Sequence, residues 1–154
     1  MLFRSDVATL RFLALGETAL GPKGGIALAE ILRDGSCAGL ERLSLPGAGL
    51  GAEGVEAVCA ALPPKLQALD LGSNGCGDQG AKAVGEALKR CANMKRIGLA
   101  ANELSEIGAR ALAPFIRDHA SLEELHVTGN RVGDRKSTRL NSSHSQQSRM
   151  PSSA

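Results

Sequence analysis

Hydrophobic positions along the chain recur in blocks of nearly constant length. Leu10, Leu40, Leu66, Met94 and Leu122 open five copies of one pattern, 30, 26, 28 and 28 residues apart. Such a period marks stacked units that cannot bury their apolar faces alone. Three and five residues after each opening stand Leu13 and Leu15, Leu43 and Leu45, Leu69 and Leu71, Ile97 and Leu99, Leu125 and Val127. This alternation turns one face of a short extended segment inward, so each copy is predicted to begin with a strand. Further on, Gly24, Gly54, Gly80 and Gly108 precede the pairs Ala27-Leu28, Ala57-Val58, Ala83-Val84 and Ala111-Leu112, and then Leu32, Leu62, Leu88 and Ile116. That spacing is the stripe of an amphipathic helix.

Between strand and helix the chain has to turn. Eight residues after each opening stand Thr18, Ala48, Asn74, Asn102 and Asn130. An asparagine amide there can bond backbone groups as the chain leaves the strand. Thr18 and Ala48 lack that amide, which predicts looser turns in the first two copies. Gly51, Gly54, Gly77 and Gly80 are expected to supply the turns with conformational freedom. Pro114, inside the helix of the fourth copy, is expected to remove the bond to the Arg110 carbonyl and to bend or shorten that helix. Strands joined through helices run parallel with right-handed crossovers. Repetition of one turn then curves the sheet. The expected architecture is an α/β right-handed solenoid, with parallel strands on the concave side and helices on the convex side.

The segments Leu66-Gln-Ala-Leu69-Asp-Leu71-Gly-Ser-Asn74 and Met94-Lys-Arg-Ile97-Gly-Leu99-Ala-Ala-Asn102 carry the pattern most fully. It resembles the leucine-rich repeats of the ribonuclease-inhibitor type, a group that includes the arrays of NOD-like receptors and activators of Ran-type GTPases. The resemblance covers residues 10–133, as four full repeats and one partial. It implies non-catalytic recognition of a protein partner through the concave face, with regulation of a Ran-type small GTPase as the alternative. Residues 1–9 are too short for the polar cap a solenoid end needs. They read as the remnant of a preceding repeat or linker, in a fragment of a longer protein.

Composition divides the chain at residue 134. Residues 1–133 hold all 19 glycines, 6 serines and a net charge of −1, whereas residues 134–154 hold no glycine, 7 serines and a net charge of +3. The overall +2 therefore belongs to the tail, and the body has no basic excess to attract nucleic acid. The stretches DRKSTRLNSSH (Asp134 to His144) and SRMPSSA (Ser148 to Ala154) resemble, in the correct order, the translation of a common short-read sequencing adapter and its continuation after the index. Residues 134–154 are accordingly read as a disordered, non-native tail and set aside from the fold. Phe3, Phe12 and Phe115 are the only aromatic residues, too few for a base-stacking platform. No apolar run approaches the ~20 residues of a membrane span.

Most chemical motifs dissolve into the repeat. Gly75-Cys-Gly77-Asp-Gln-Gly80 matches a dinucleotide-binding fingerprint. Gly80, however, recurs in every full copy, and the next strand ends Leu99-Ala100-Ala101 without the required acidic residue, so no cofactor is expected. Cys37, Cys59, Cys76 and Cys91 form no CxxC pair. Cys37 and Cys91 fall two repeats apart, ~10 Å at a strand spacing of ~4.8 Å, beyond disulfide reach. This usage fits a reducing, cytoplasmic compartment. His119 and His126 are the only histidines of the body, so no metal site is expected.

What remains is the outward face of the strands. One row across the copies reads Phe12, Arg42, Ala68, Arg96 and Glu124, and the next reads Ala14, Ser44, Asp70, Gly98 and His126. Stacking is expected to set Arg96 beside Glu124, and Asp70 diagonally between Arg42 and Arg96. Open concave surfaces are what solenoids bind with. Arg42, Asp70, Arg96, Glu124 and His126 are therefore the candidate partner-binding residues.

Overall fold

The computed structural model describes residues 9–131. The expected remnant before Thr9, Val132-Gly133 and the adapter-like tail lie outside the described residues. Five strands, β1 (Phe12–Ala14), β2 (Arg42–Ser44), β3 (Ala68–Asp70), β4 (Arg96–Gly98) and β5 (Glu124–His126), form one sheet in chain order. All four pairings are parallel. Between them lie α1 (Gly21–Arg33), α2 (Gly51–Ala60), α3 (Gly77–Leu88) and α4 (Glu106–Arg117). The chain is the expected α/β solenoid, with one strand and one helix in each of the four full copies.

The core sits between the two layers. Leu43, Leu69 and Ile97 point inward from the middle of the central strands, and Leu45, Leu71 and Leu99 follow just past their ends, all of them buried. Leu28, Val58, Val84 and Leu112 meet them from the helices, which closes the apolar period read from the sequence. Each such leucine removes a whole side chain from water, a gain of ~1.5–3 kcal/mol.

Asparagines lock the turns, and they do so across copies. The Asn74 side-chain oxygen accepts from the N–H groups of Ala48 and Leu50, both at 3.1 Å, and its amide donates to the Leu45 carbonyl at 2.8 Å and the Leu71 carbonyl at 3.0 Å. Asn102 repeats the scheme on the N–H groups of Asn74 and Cys76 and the Leu71 carbonyl. Asn130 repeats it on Asn102, Leu104 and Leu99. Asn74 and Asn102 are buried. Every one of these amides reaches back to the preceding copy.

This arrangement revises the expectation of two loose turns. Ala48 carries no amide, yet its own turn is bonded by Asn74 from the next copy. The first turn lacks that clamp, since Ala48 stands where the asparagine would be, and there the Thr18 hydroxyl donates to the Leu15 carbonyl at 2.6 Å. The glycines also divide differently. Gly51 and Gly77 hold φ of +66° and +62°, the left-handed conformation that favours glycine. Gly54 and Gly80 are helical, and their value is space. A Cβ on Gly54 would come 3.2 Å from the Pro22 Cα of the previous helix, and one on Gly80 would collide with the Cys76 side chain.

Two features belong to the fourth helix. Pro114 lies inside α4 without shortening it, since the helix keeps 12 residues, as α3 does. Pro114 and Arg110 are on the exposed side, where a carbonyl left without its helical donor can bond water. Where earlier copies enter the helix at glycine, Ser105 stands as a cap and accepts from the Ile107 N–H at 3.1 Å. Its N–H and hydroxyl in turn donate to Asp78 at 2.7 and 2.6 Å. Burial opposes the Asp78 charge, but the bonds from Ser105 and Gly108 outweigh it and hold the carboxyl below its ordinary range.

Candidate partner-binding face

The register lays the outward residues in two rows across the sheet. Phe12 pairs with Arg42, Arg42 with Ala68, Ala68 with Arg96, and Arg96 with Glu124. The second row runs Ala14, Ser44, Asp70, Gly98 and His126. All five candidate residues thus share one face. The expected neighbour pair forms, with Arg96 Nε 2.7 Å from Glu124 Oε1. Both side chains are largely exposed, at 61% and 49%, so solvent screens the pair and its contribution to stability is small.

The expected diagonal contacts of Asp70 do not form. Among the described residues Asp70 makes no ion pair. Its Oδ1 accepts instead from the Gly72 N–H at 3.0 Å, a local turn bond that competes for the carboxylate. The oxygen lies over β4, where a Cβ on Gly98 would sit 2.8 Å from it. Arg42 turns the other way, its guanidinium 4.9 Å from the centre of the Phe12 ring. Phe12 was placed in the row by sequence but not named as a functional residue. The signal was there, since an aromatic beside an arginine on neighbouring strands is the setting for a cation–π contact.

Arg42 leans toward β1 and Arg96 toward β5, so the two guanidiniums part over Ala68. Between them opens a groove of about 450 Å³, which Asp70, Gly98, His126 and Thr128 also line. Small residues make the opening: Ala68 leaves the middle of the sheet uncovered, and Gly98 gives the Asp70 carboxylate room to lie over β4.

Other chemistry is occupied by the fold. The four cysteines are free and buried. Burial drives the Cys59 thiol far up and pushes Cys76 up to about 11, so both stay protonated and unreactive at neutral pH. His119 accepts from the Ser121 N–H at Nδ1 (3.3 Å) and places Nε2 2.9 Å from the Cys91 carbonyl, tying the last loop to the one before. Among the described residues no three such side chains gather as a metal site, and no helix is long and apolar enough to cross a membrane. On the convex side a groove of about 870 Å³ runs between helices, and several of its polar groups are engaged. Lys89 pairs with Glu86 at 3.2 Å, Gln79 donates to Glu56 at 3.0 Å, and Arg90 donates to the Cys59 carbonyl at 2.6 Å.

Family comparison agrees with this geometry. The family described as Leucine Rich repeat matches residues 8–29, 63–85 and 118–135. The fold is a leucine-rich-repeat solenoid. The solenoid is similar to ribonuclease inhibitor of Sus scrofa, with 32% identity over 128 residues that cover 81% of this chain and 28% of the inhibitor. It is also similar to the Ran GTPase-activating protein of Drosophila melanogaster, with 31% identity over 127 residues, 75% of this chain and 21% of that protein. The chain therefore spans less than a third of the length of either relative. Among solved structures, Leiomodin-1 Actin-Binding Site 2 superposes with a TM-score of 0.72 at 12% identity, covering 92% of this chain and 82% of that one. At that identity the likeness is one of fold.

Proposed function

We propose that this solenoid is a non-catalytic protein-recognition module that binds its partner with the concave strand face, through Arg42, Asp70, Arg96, Glu124 and His126. The observation that carries this reading is the parting of Arg42 and Arg96 over Ala68, which leaves an open groove at the centre of the sheet, flanked by charged side chains. Solenoids recognise proteins with surfaces of this kind. The similarity to an inhibitor and to a GTPase activator supports protein binding in general and selects neither partner.

The test pairs two double variants that each lose two positive charges. Arg42→Ala with Arg96→Ala is expected to weaken a captured partner by ~2 kcal/mol or more, as the centre of an interface does. Lys23→Ala with Lys82→Ala, both on helices, is expected to change it by less than ~0.5 kcal/mol. Lys89 is unsuitable as a control because it pairs with Glu86 and lies 5.4 Å from the Phe115 ring. The reverse ranking would move the interface to the helices.

A second reading, regulation of a Ran-type small GTPase, is favoured by the similarity to the Drosophila protein. It predicts faster single-turnover GTP hydrolysis by such a GTPase when the chain is added. An unchanged rate removes it.

A further inference from the structure

Two opposite charges stand uncommitted in the same groove. Among the described residues Arg42 makes no ion pair, and its guanidinium rests on the Phe12 ring. Asp70 likewise makes no ion pair, and only its Oδ1 is engaged, by the Gly72 N–H. The other arginine of the row is already matched by Glu124. The groove thus offers one unmatched cation and one unmatched anion. They occupy adjacent strands two residues out of register, since Arg42 pairs with Ala68 and Asp70 follows two residues later on β3. With strands ~4.8 Å apart and ~3.3 Å per residue, their Cα atoms stand ~8 Å apart on the diagonal.

We propose that the groove is a dipolar seat for a pair of oppositely charged side chains of a protein partner, an aspartate or glutamate over Arg42 and a lysine or arginine over Asp70. This rests on the concave-face reading and states the chemistry of its centre. Several observations support the paired occupant. A lone acidic residue would enter a groove that already holds the unmatched carboxylate of Asp70, and like charges in one cleft repel. A lone basic residue would meet Arg42 and Arg96. A phosphate group brings close to two negative charges against a single unmatched guanidinium. A carboxylate brings one, and a guanidinium can hold it with two parallel bonds. The footing is prepared as well. The Phe12 ring holds the Arg42 head in place, the Gly72 N–H holds Asp70, and Ala68 leaves the space between them clear. On the partner, residues i and i+2 of an extended segment project to one side ~6.6 Å apart, and the long side chains of glutamate and lysine can splay outward to meet the two heads, which lean apart toward β1 and β4.

The test uses the full chain, isotope-labelled, titrated with capped tripeptides and read at the backbone amides of Gly72 and Gly98. Glu-Ala-Lys is expected to shift these amides with an affinity at least about fivefold higher than Glu-Ala-Glu or Lys-Ala-Lys, the difference one partly exposed ion pair makes. Arg42→Gln and Asp70→Asn are each expected to remove that preference. The Asn variant keeps an oxygen for the Gly72 N–H, so the turn is preserved while the charge is lost. Equal affinities for the three peptides, or a preference that survives both variants, would overturn the dipolar seat. So would tighter binding of phosphoserine-Ala-Lys, which would make the site a phosphate clamp. The broader reading is judged separately: loss of a captured protein on joint removal of Arg42 and Arg96 alongside indifferent peptides would defeat the seat and leave the concave interface standing.

Discussion

Two rows of polar side chains run across this molecule with the same period, and they are used in opposite ways. The asparagines at 74, 102 and 130 stand in the turns, two of them buried, each bonded to backbone on both sides of its amide. The strand-face charges Arg42, Asp70, Arg96 and Glu124 are exposed and form one ion pair among themselves. A buried polar group costs free energy unless every bond is met. An exposed one costs little either way, which leaves it available to a partner. The period dictates where a side chain stands, and burial dictates whether it serves the fold or a partner.

Neighbouring residues on opposite faces give the sharpest contrast. Leu71→Ala is expected to lower stability by ~2–5 kcal/mol in chemical denaturation, because it leaves a cavity between the layers. A loss no greater than that of an exposed residue would mean the faces are inverted. Next in size, Asn102→Ala strands the N–H groups of Asn74 and Cys76, while the Leu71 carbonyl keeps its bond from the Asn74 amide, and should cost ~2–4 kcal/mol, two such penalties at ~1–2 kcal/mol each. A cost below that of Arg96→Ala would erase the distinction between the two rows. In the other direction, Ala48→Asn supplies the amide the first turn lacks and is expected to raise stability by about 1 kcal/mol, read as a higher midpoint of thermal unfolding. A lower midpoint would show that the enclosed space around Ala48 is too tight for the amide. Smallest of all, Asp70→Ala should stay within ~0.5 kcal/mol.

The period made most of the fold legible. It located five strands, four helices and the inward leucines, because burial on one face of a repeating unit is written at fixed spacing. The register followed, and with it the Arg96–Glu124 pair. What the spacing could not carry was the direction each outward side chain takes. Asp70 turned to its own Gly72 N–H and Arg42 to the Phe12 ring, choices made by local competitors rather than by position in the row. The roles of Gly54 and Gly80 were hidden for a related reason. A glycine that relieves a turn and one that makes room for a packed neighbour, the previous helix at Gly54 and the Cys76 side chain at Gly80, look alike until that neighbour is in place. Pro114 reads as a breaker from sequence alone, and it is tolerated because its side of the helix faces water.

The backward reach of the asparagines bears on how the chain matures as it is made. The donors and acceptors of one turn are completed by an amide from the following copy, about 28 residues later in Asn74 to Asn102 and again in Asn102 to Asn130. Synthesis proceeds from the N-terminus and domains fold as their parts emerge. A copy leaving the ribosome therefore has its leucines but not its lock, and closes only when its successor arrives. Assembly of the array trails translation by one unit, with the newest copy always the least secured, so the growing solenoid is zipped from behind its own leading edge.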